Sequence, residues 1–176
     1  MRLFVAINFD DEVKDRLCRL QEVLRADGVT GNFSSRANLH LTMAFIGEVP
    51  PETVPAALAV VQAVSFAPLR LDLSRAGFFA DRRRTDERLL WVGSRRLSVL
   101  ERVHQDLCHG LDGAGISFDR KRFVSHVTLG RRCLWPQAYA YEERLRPWLP
   151  ISTTVDHLSL MKSERLSGKL VYTELS

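Results

Sequence analysis

Two histidines in this sequence are each followed, two positions later, by a threonine. The phrase HLTMAFIG joins His40 to Thr42, and the later phrase HVTLGR joins His126 to Thr128. Residues two apart in a β-strand share a face and lie roughly 6.6 Å apart, so each phrase predicts an imidazole beside a hydroxyl. The intervening residues, such as Leu41, are apolar and would face a core. We therefore expect two strands that each present a His–Thr pair to a cleft.

Two imidazoles and two hydroxyls suit displacement at phosphorus. Such a displacement needs a base at the attacking oxygen and an acid at the leaving oxygen, on opposite sides of the phosphorus atom. The unperturbed pKa of histidine, near 6.5, allows one ring to be neutral and the other protonated around neutral pH. Hydroxyl groups and an arginine would donate to the phosphate oxygens as negative charge builds up on them. These residues therefore predict phosphoryl chemistry.

Other chemistries fit these residues less well. Two histidines without Asp, Glu or Cys at ligand spacing fall short of a usual zinc or iron site, so we expect no metal and no cofactor. There is no G-x-S-x-G motif of a serine hydrolase. The three cysteines are widely spaced and form no C-x-x-C pair, which indicates neither a disulfide framework nor a zinc site. A single buried histidine is often only a core residue, but the recurrence of the whole phrase argues against that interpretation.

Alternating strands and helices must position the two phrases. The first half predicts a strand at RLFVAINF, an amphipathic helix ending at Gly28, a polar loop around GNFSSRAN, the His40 strand, a proline-initiated helix and a strand at LRLDL. The second half predicts a strand at RLLWVGS, a helix opened by a Ser98–Glu101 capping box, and the His126 strand. A helix near QAYAYEERLRPWL and strands at TTVDHLSLM and LVYTEL, separated by a turn at SERLSGK, complete the chain.

Strand, helix and histidine strand recur in the same register. Leu3 lies 37 residues before His40, and Leu89 lies 37 residues before His126. We expect an α+β fold in which two pseudo-symmetric lobes, with antiparallel sheets and flanking helices, surround a central cleft. Residues 1–176 would form one domain with an internal repeat of about 1–80 and 87–176. The charged stretch DRRRTDER at the junction favours a solvated loop over a binding element.

Composition restricts the location and the partners of the protein. The chain has 176 residues, 45% apolar and 26% charged, which suits one compact core. No apolar run approaches the roughly 20 residues needed to cross a bilayer, and the N-terminus lacks the pattern of a signal peptide. We expect a cytoplasmic monomer that binds no membrane. The net charge of +4 and the excess of arginine favour an anionic partner, although a genomic bias toward arginine would give the same composition.

Five phrases follow one another in a familiar order: RLFVAI, LHLTMAFIGEV, ERLLWVG, FVSHVTLGR and SERLSGKLVYTEL. With these phrases the whole chain resembles the two-histidine phosphoesterase superfamily, and specifically the bacterial and archaeal RNA 2′,3′-cyclic phosphodiesterases, also called 2′-5′ RNA ligases. The resemblance implies the two-lobed fold and the hydrolysis of a terminal 2′,3′-cyclic phosphate of RNA to a 2′-phosphate without a metal. It also implies a reverse activity that joins RNA ends through a 2′-5′ linkage.

The resemblance also implies roles for five residues. His126 would activate water, His40 would protonate the leaving 3′ oxygen, and Thr42 and Thr128 would bind the phosphate. Arg131 matches a family arginine near the phosphate. Strict alternation along the strand would place this arginine on the face opposite the histidine, so its role requires the strand to end or bulge at the preceding glycine.

Several alternatives stay open at the level of sequence. Ser125 stands where the family often has proline, which removes no functional group. A binding module for RNA ends or nucleotides would need the same cleft, as would a phosphodiesterase for a small cyclic nucleotide, an ADP-ribose cyclic phosphate or a 2′-5′ oligonucleotide. His104 and His109 lie on a predicted helix and are expected to be structural or solvated. His157 and Asp156 would point to opposite faces of a strand, so no pair is expected between them.

Overall fold

The computed structural model describes residues 1–80, 86–95 and 97–175, which contain nine β-strands and four α-helices. The strands are β1 (Arg2–Asn8), β2 (Thr30–Phe33), β3 (His40–Glu48), β4 (Leu69–Ala80), β5 (Arg88–Ser94), β6 (His126–Leu134), β7 (Ile151–Val155), β8 (Ser159–Leu166) and β9 (Lys169–Leu175). The helices are α1 (Asp11–Ala26), α2 (Val54–Ala63), α3 (Ser98–Gly113) and α4 (Tyr141–Leu145). Short 3₁₀ turns occur at Arg36–Asn38, Pro51–Thr53 and Arg146–Trp148. None of these helices combines the length and the hydropathy needed to span a membrane.

The nine strands form one antiparallel sheet. Their order is β7-β4-β5-β6-β3-β1-β8-β9, and β2 pairs with β6. The expected α+β class with antiparallel pairing is therefore confirmed. The two histidine strands, β3 and β6, are neighbours in the middle of the sheet, where Leu41 pairs with Val127. This junction joins a half made of β7, β4, β5 and β6 to a half made of β3, β1, β8 and β9.

The main core lies on the face of the sheet that the helices cover. Leu3, Val5 and Ile7 of β1 join this core, whereas Phe4 and Ala6 belong to a small cluster on the other face of the strand. Each of the two long helices buries an apolar stripe at helical spacing against this core. The stripes are Val13, Leu17, Leu20 and Leu24 of α1 and Leu100, Val103, Leu107 and Leu111 of α3. The opposite face of the central strands is left for polar side chains.

The two halves of the sheet do not correspond to the two halves of the sequence. The orders β1-α1-β3 and β5-α3-β6 are alike, as the predicted repeat requires. However, β4 from the first half pairs with β5 and β7, and β8 from the second half pairs with β1. Each half of the sheet thus combines strands from both halves of the chain, and the internal repeat itself stays a prediction.

Some predicted boundaries were wrong. The polar stretch around GNFSSRAN contains β2, because pairing with β6 supplies hydrogen bonds that its composition does not reveal. The stretch TTVDHLSLM is broken at residues 156–158 into β7 and β8, which pair in different halves of the sheet. The tail helix is shorter than expected, since only Tyr141–Leu145 is α-helical. In α3 the N-cap is Leu97, so Ser98 lies inside the first turn and does not cap it.

Most of the charged junction stretch DRRRTDER lies outside the described residues. Residues 81–85 fall outside the described residues, and β5 already begins at Arg88. The expected solvated loop therefore stays a prediction.

Candidate active site

The two His–Thr pairs lie on adjacent strands. The central pair of these strands is Leu41 and Val127, whose side chains are fully buried on the core side. One step along the antiparallel register, the histidine of each strand lies opposite the threonine of the other. All four of these polar residues are half-buried. The tertiary structure therefore brings together the groups that the sequence singles out.

Both imidazoles are held in the same way by a backbone carbonyl. Nδ1 of His40 lies 2.7 Å from the carbonyl oxygen of Asn38, and Nδ1 of His126 lies 2.7 Å from that of Val124. A carbonyl oxygen only accepts, so Nδ1 carries the proton and donates it in both hydrogen bonds. Nε2 is then the nitrogen available for proton transfer. On the first strand, this atom lies 3.0 Å from the hydroxyl of Thr42.

Two aromatic rings flank each imidazole. Phe4 of β1 and Tyr172 of β9 have ring centroids 4.9 Å and 5.2 Å from that of His40. Phe79 of β4 and Trp91 of β5 lie 5.3 Å and 6.3 Å from the second imidazole. These contacts restrict the rotamers of the histidines and reduce their access to water. Sequence reasoning did not find the two phenylalanines and the tyrosine as neighbours of the site, because they come from strands far away in the chain.

The environment of both histidines favours the neutral imidazole. The pKa of His40 is lowered to about 4, mainly because the ring is buried. The hydrogen bond to the carbonyl of Asn38 raises this pKa, whereas the positive charge of Arg131 lowers it. Burial also lowers the pKa of His126, and the same arginine contributes. A negatively charged ligand between the rings would oppose both causes, because it favours the imidazolium form.

A β-bulge directly after Thr128 determines where the arginine points. Two neighbouring residues of β5 pair with Thr128 and Gly130, which leaves Leu129 as an extra residue in β6. The alternation of faces reverses at this point, and Leu129 and Gly130 are both buried. Arg131 consequently lines the same cavity as His40. The bulge thus meets the requirement, stated from strand alternation, that β6 end or bulge near Gly130 if Arg131 is to share the face of the histidine.

The carbonyl groups at the bulge are held by two residues that sequence reasoning missed. Gln21 of α1 is 3% exposed, and its Nε2 donates to the carbonyl oxygens of Leu129 at 2.9 Å and Ser34 at 2.8 Å. Ser34 donates from its backbone nitrogen to Leu129 at 2.9 Å and from its hydroxyl to the carbonyl of Thr128 at 2.8 Å. The sequence could have indicated Gln21, because it is a polar residue on the apolar face of its helix.

The entry of β6 is fixed without the proline that the family often has. The hydroxyls of Ser94 and Ser125 lie 2.7 Å apart and form a hydrogen bond just before His126. Gly93 pairs with this histidine, and a Cβ at that glycine would collide with the carbonyl of Ser125. The close approach of the two backbones thus requires glycine on β5.

Two cavities lie on either side of Thr42 and Phe45, which line both of them. The first, of about 580 Å³ and called here the His40 cavity, is also lined by His40, Phe4, Arg131, Arg165 and Tyr172. The second, of about 390 Å³ and called here the His126 cavity, is also lined by His126, Phe79, Lys121, Arg122 and Phe123. Each histidine thus has a cavity on its own side. Thr128 lines neither of these two cavities, so its expected contact with phosphate depends on the strand register alone.

The other histidines lie outside the central pair. His104 stacks on Phe123 with a centroid distance of 4.4 Å, and His109 is exposed on α3. Nδ1 of His157 lies 2.6 Å from the carboxylate of Asp156. The prediction that these two do not pair was wrong, because residues 156–158 leave the strand and alternation no longer applies.

Metal-ligating side chains do not cluster in the part of the chain that the structure describes. Within the described residues, His, Cys, Asp and Glu side chains form no group of three or more that could hold one. The three cysteines are free thiols.

Comparison with known proteins identifies relatives along nearly the whole chain. A family model described as the 2′-5′ RNA ligase superfamily matches residues 9–166. The RNA 2′,3′-cyclic phosphodiesterase of Thermotoga maritima is 28% identical over 165 residues, which cover 93% of this chain and 87% of that protein. The protein of the same name from Methanocaldococcus jannaschii is 28% identical over 175 residues, which cover 98% and 96%.

Solved structures show the same fold. A Thermus thermophilus protein of known crystal structure superposes with a TM-score of 0.78 at 26% identity, covering 100% of this chain and 96% of that one. E. coli LigT complexed with 3′-AMP superposes with a TM-score of 0.79 at 24% identity, covering 99% and 94%. The sheet and its helices are therefore those of an established architecture.

Proposed function

The chain belongs to the 2′-5′ RNA ligase superfamily, and we propose that it is an RNA 2′,3′-cyclic phosphodiesterase, which hydrolyses the terminal cyclic phosphate to a 2′-phosphate. The observation that carries the proposal is the pair of imidazoles at the starts of β3 and β6, each with Nδ1 bound to a carbonyl and Nε2 left for proton transfer. Relatives of this name support RNA as the substrate class. The cytoplasmic location and the monomeric state stay predictions.

The proposed reaction is an in-line displacement at phosphorus. Nε2 of His126 takes a proton from water, and the water oxygen attacks the phosphorus of the cyclic phosphate. The bond between phosphorus and the 3′ oxygen breaks on the opposite side. His40 gives its Nε2 proton to that leaving oxygen, which yields a 3′-hydroxyl and a 2′-phosphate. Both steps use groups of this chain alone, so we propose that no metal takes part.

The acid must acquire its proton from solvent when substrate binds. His40, with its pKa lowered to about 4, is neutral in the free protein at pH 7, and its Nε2 then accepts a hydrogen bond from the hydroxyl of Thr42. The negative charge of a bound phosphate favours the imidazolium form and raises this pKa. Once the ring is protonated, Nε2 donates and the hydroxyl of Thr42 is released to the phosphate. Substrate binding thus prepares the acid.

Charge on the non-bridging oxygens is stabilised by cations and hydroxyls. Arg131 lies close enough to both histidines for its positive charge to lower the pKa of each. Thr42 lies beside the first imidazole, and Thr128 shares a strand face with the second. Donors fixed in place before reaction stabilise developing charge without further rearrangement.

The proposal is tested with an RNA oligonucleotide that ends in a 2′,3′-cyclic phosphate, incubated with the protein and EDTA. We expect a product of one added water whose terminal phosphate resists a 3′-specific phosphatase. His40→Ala and His126→Ala should each lower turnover by roughly 10²- to 10⁴-fold, because each removes a general acid or base. His157→Ala is the matched control, since this exposed histidine lies outside both cavities.

The folded state of each variant is checked by circular dichroism. Normal turnover in either central histidine variant, with the fold intact, would exclude the mechanism. A 3′-phosphate product would exclude the proposed direction of ring opening. Loss of turnover in EDTA that added metal restores would exclude the metal-independent reaction.

A further inference from the structure

A short turn before β3 supplies the carbonyl that the imidazole of His40 binds. The 3₁₀ turn Arg36–Asn38 ends two residues before this histidine, and the intervening Leu39 is buried in the core. Nδ1 of His40 donates to the carbonyl oxygen of Asn38 at 2.7 Å. The hydrogen bond at one ring nitrogen of a histidine determines which nitrogen carries the proton. The orientation of this one carbonyl therefore decides whether Nε2 stays free to exchange a proton.

The side chain of Asn38 ties the same turn to a strand that is distant in the chain. Its amide nitrogen, Nδ2, donates to the carbonyl oxygen of Leu170 at 2.8 Å, and this residue lies in β9, the outermost strand of its half of the sheet. At the other end of the turn, Arg36 forms ion pairs with Asp11 at 3.0 Å and Asp15 at 2.6 Å. The turn is thus attached to α1 by its first residue and to the sheet by its last.

Strand β9 also forms part of the His40 cavity. Leu170 and Tyr172 line this cavity, and the ring centroid of Tyr172 lies 5.2 Å from that of the imidazole. With its two polar groups, Asn38 therefore contacts both the histidine and the strand beside it. A shift of the turn relative to β9 would change the orientation of the imidazole in its own cavity.

The carbonyl that holds the other imidazole is presented in a different way. Nδ1 of His126 donates to the carbonyl of Val124, whose side chain is aliphatic, 38% exposed and unable to donate a hydrogen bond. The hydroxyls of Ser94 and Ser125 fix the entry of β6 instead. Removal of the Asn38 amide should therefore affect one histidine of the pair and spare the other.

We propose that Asn38 is a positioning residue for His40: through β9, its side-chain amide fixes the carbonyl that keeps the proton on Nδ1 and leaves Nε2 to the substrate. The inference rests on the proposed function, in which this imidazole is the acid. The hydrogen bond to Leu170 lies at the surface, so water can take the place of the amide as a donor. Removal of the amide thus costs fixed geometry more than stability.

The test is the variant Asn38→Ala, which keeps the backbone carbonyl and removes the amide donor. Nitrogen NMR shifts of the imidazoles at pH 7 report the tautomer of each histidine. We expect His40 to change from a single tautomer, protonated at Nδ1, to a mixture of both, whereas His126 stays as in the wild type. With the cyclic-phosphate oligonucleotide, kcat should fall roughly 10-fold, because small displacements of reacting groups slow catalysis strongly. The urea midpoint should change little.

Two further variants separate positioning from a general structural effect. Asn38→Gln retains an amide with one more methylene, and should restore part of the lost kcat and of the single tautomer. Tyr139→Phe is the matched control, because it removes one side-chain hydrogen bond, to Asp27 at 2.7 Å, from a residue that lines neither cavity. It should leave kcat and both imidazoles unchanged.

Several results would overturn the inference. An unchanged kcat in Asn38→Ala would do so, as would a fall in kcat without a change of tautomer at His40. Equal changes at both histidines would indicate a general loosening of the sheet, and a higher KM alone would mean that Asn38 only holds β9. An unfolded Asn38→Ala would also contradict it, because the amide would then serve folding. Absence of hydrolysis in the wild type would instead overturn the proposed function, while the nitrogen shifts would still show whether Asn38 holds the imidazole.

Discussion

Replacing Gln21 by methionine tests how the fold positions Arg131. The side chain keeps nearly the same length and stays compatible with its buried place on α1, but it loses the hydrogen bond to Leu129 in the bulge of β6 and the hydrogen bond to the carbonyl of Ser34. The carbonyl of Leu129 retains the backbone donor of Ser34, whereas the carbonyl of Ser34 loses the amide hydrogen it accepts. Leaving buried polar groups without partners costs about 1–3 kcal/mol, so the free energy of unfolding should fall by that amount. Urea unfolding measures it.

The effect on activity should go beyond this loss of stability. The bulge sets the face on which Arg131 lies, and a displacement of about 1 Å in an active site can cost roughly 10²-fold in rate. We expect kcat/KM for hydrolysis to fall roughly 10- to 100-fold in Gln21→Met. Because Arg131 lowers the pKa of both central histidines, these pKa values should rise in the variant, which NMR titration of the imidazoles can follow.

A double-mutant cycle with Arg131→Gln isolates the coupling. If Gln21 acts through Arg131, Gln21→Met should add little to the loss already caused by Arg131→Gln. The control is Leu24→Ala on the same helix, which removes a buried apolar side chain that makes no hydrogen bond to the bulge and should cost about 2–5 kcal/mol of stability. It should leave kcat/KM nearly unchanged where the protein is folded. Equal losses from Gln21→Met in both backgrounds, or similar losses in Leu24→Ala, would refute the reasoning.

Two further predictions concern pH. In the wild type, the pH profile of kcat/KM should be bell-shaped with both limbs below about pH 6.5, because the pKa values of both histidines are lowered in the free protein. Arg131→Gln should move both limbs to higher pH, because it removes a positive charge that lowers both pKa values. An unmoved profile would contradict the placement of this charge. Because the pKa of His40 falls to about 4 on folding, its contribution to stability is complete above pH 6.5 and is lost as the pH falls toward 4, by roughly 3 kcal/mol. Urea titrations of His40→Gln should lack this part of the pH dependence, and an unchanged acid sensitivity would show that other groups cause it.

Local patterns in the sequence determine much of this protein. The stripes on α1 and α3 follow from apolar residues at helical spacing, and the two H-x-T phrases follow from strand alternation, which fixes the face of each residue whatever lies beside it. The same patterns indicate which bond the site would act on, since that depends on residue types. The five phrases, in order, suffice to indicate the family.

Tertiary structure alone decides the features that depend on distant pairing. The bulge that turns Arg131 toward the cleft is held by Gln21, 108 residues away from its partner Leu129. The aromatic neighbours of the histidines come from other strands, and β2 exists as a strand because β6 supplies its hydrogen bonds. Strand alternation is a local rule, so a sequence read along the chain could not show where a partner strand adds a residue or breaks the pattern. Local sequence thus identifies the active groups, whereas the distances between them and their pKa values depend on strands that are distant in the chain.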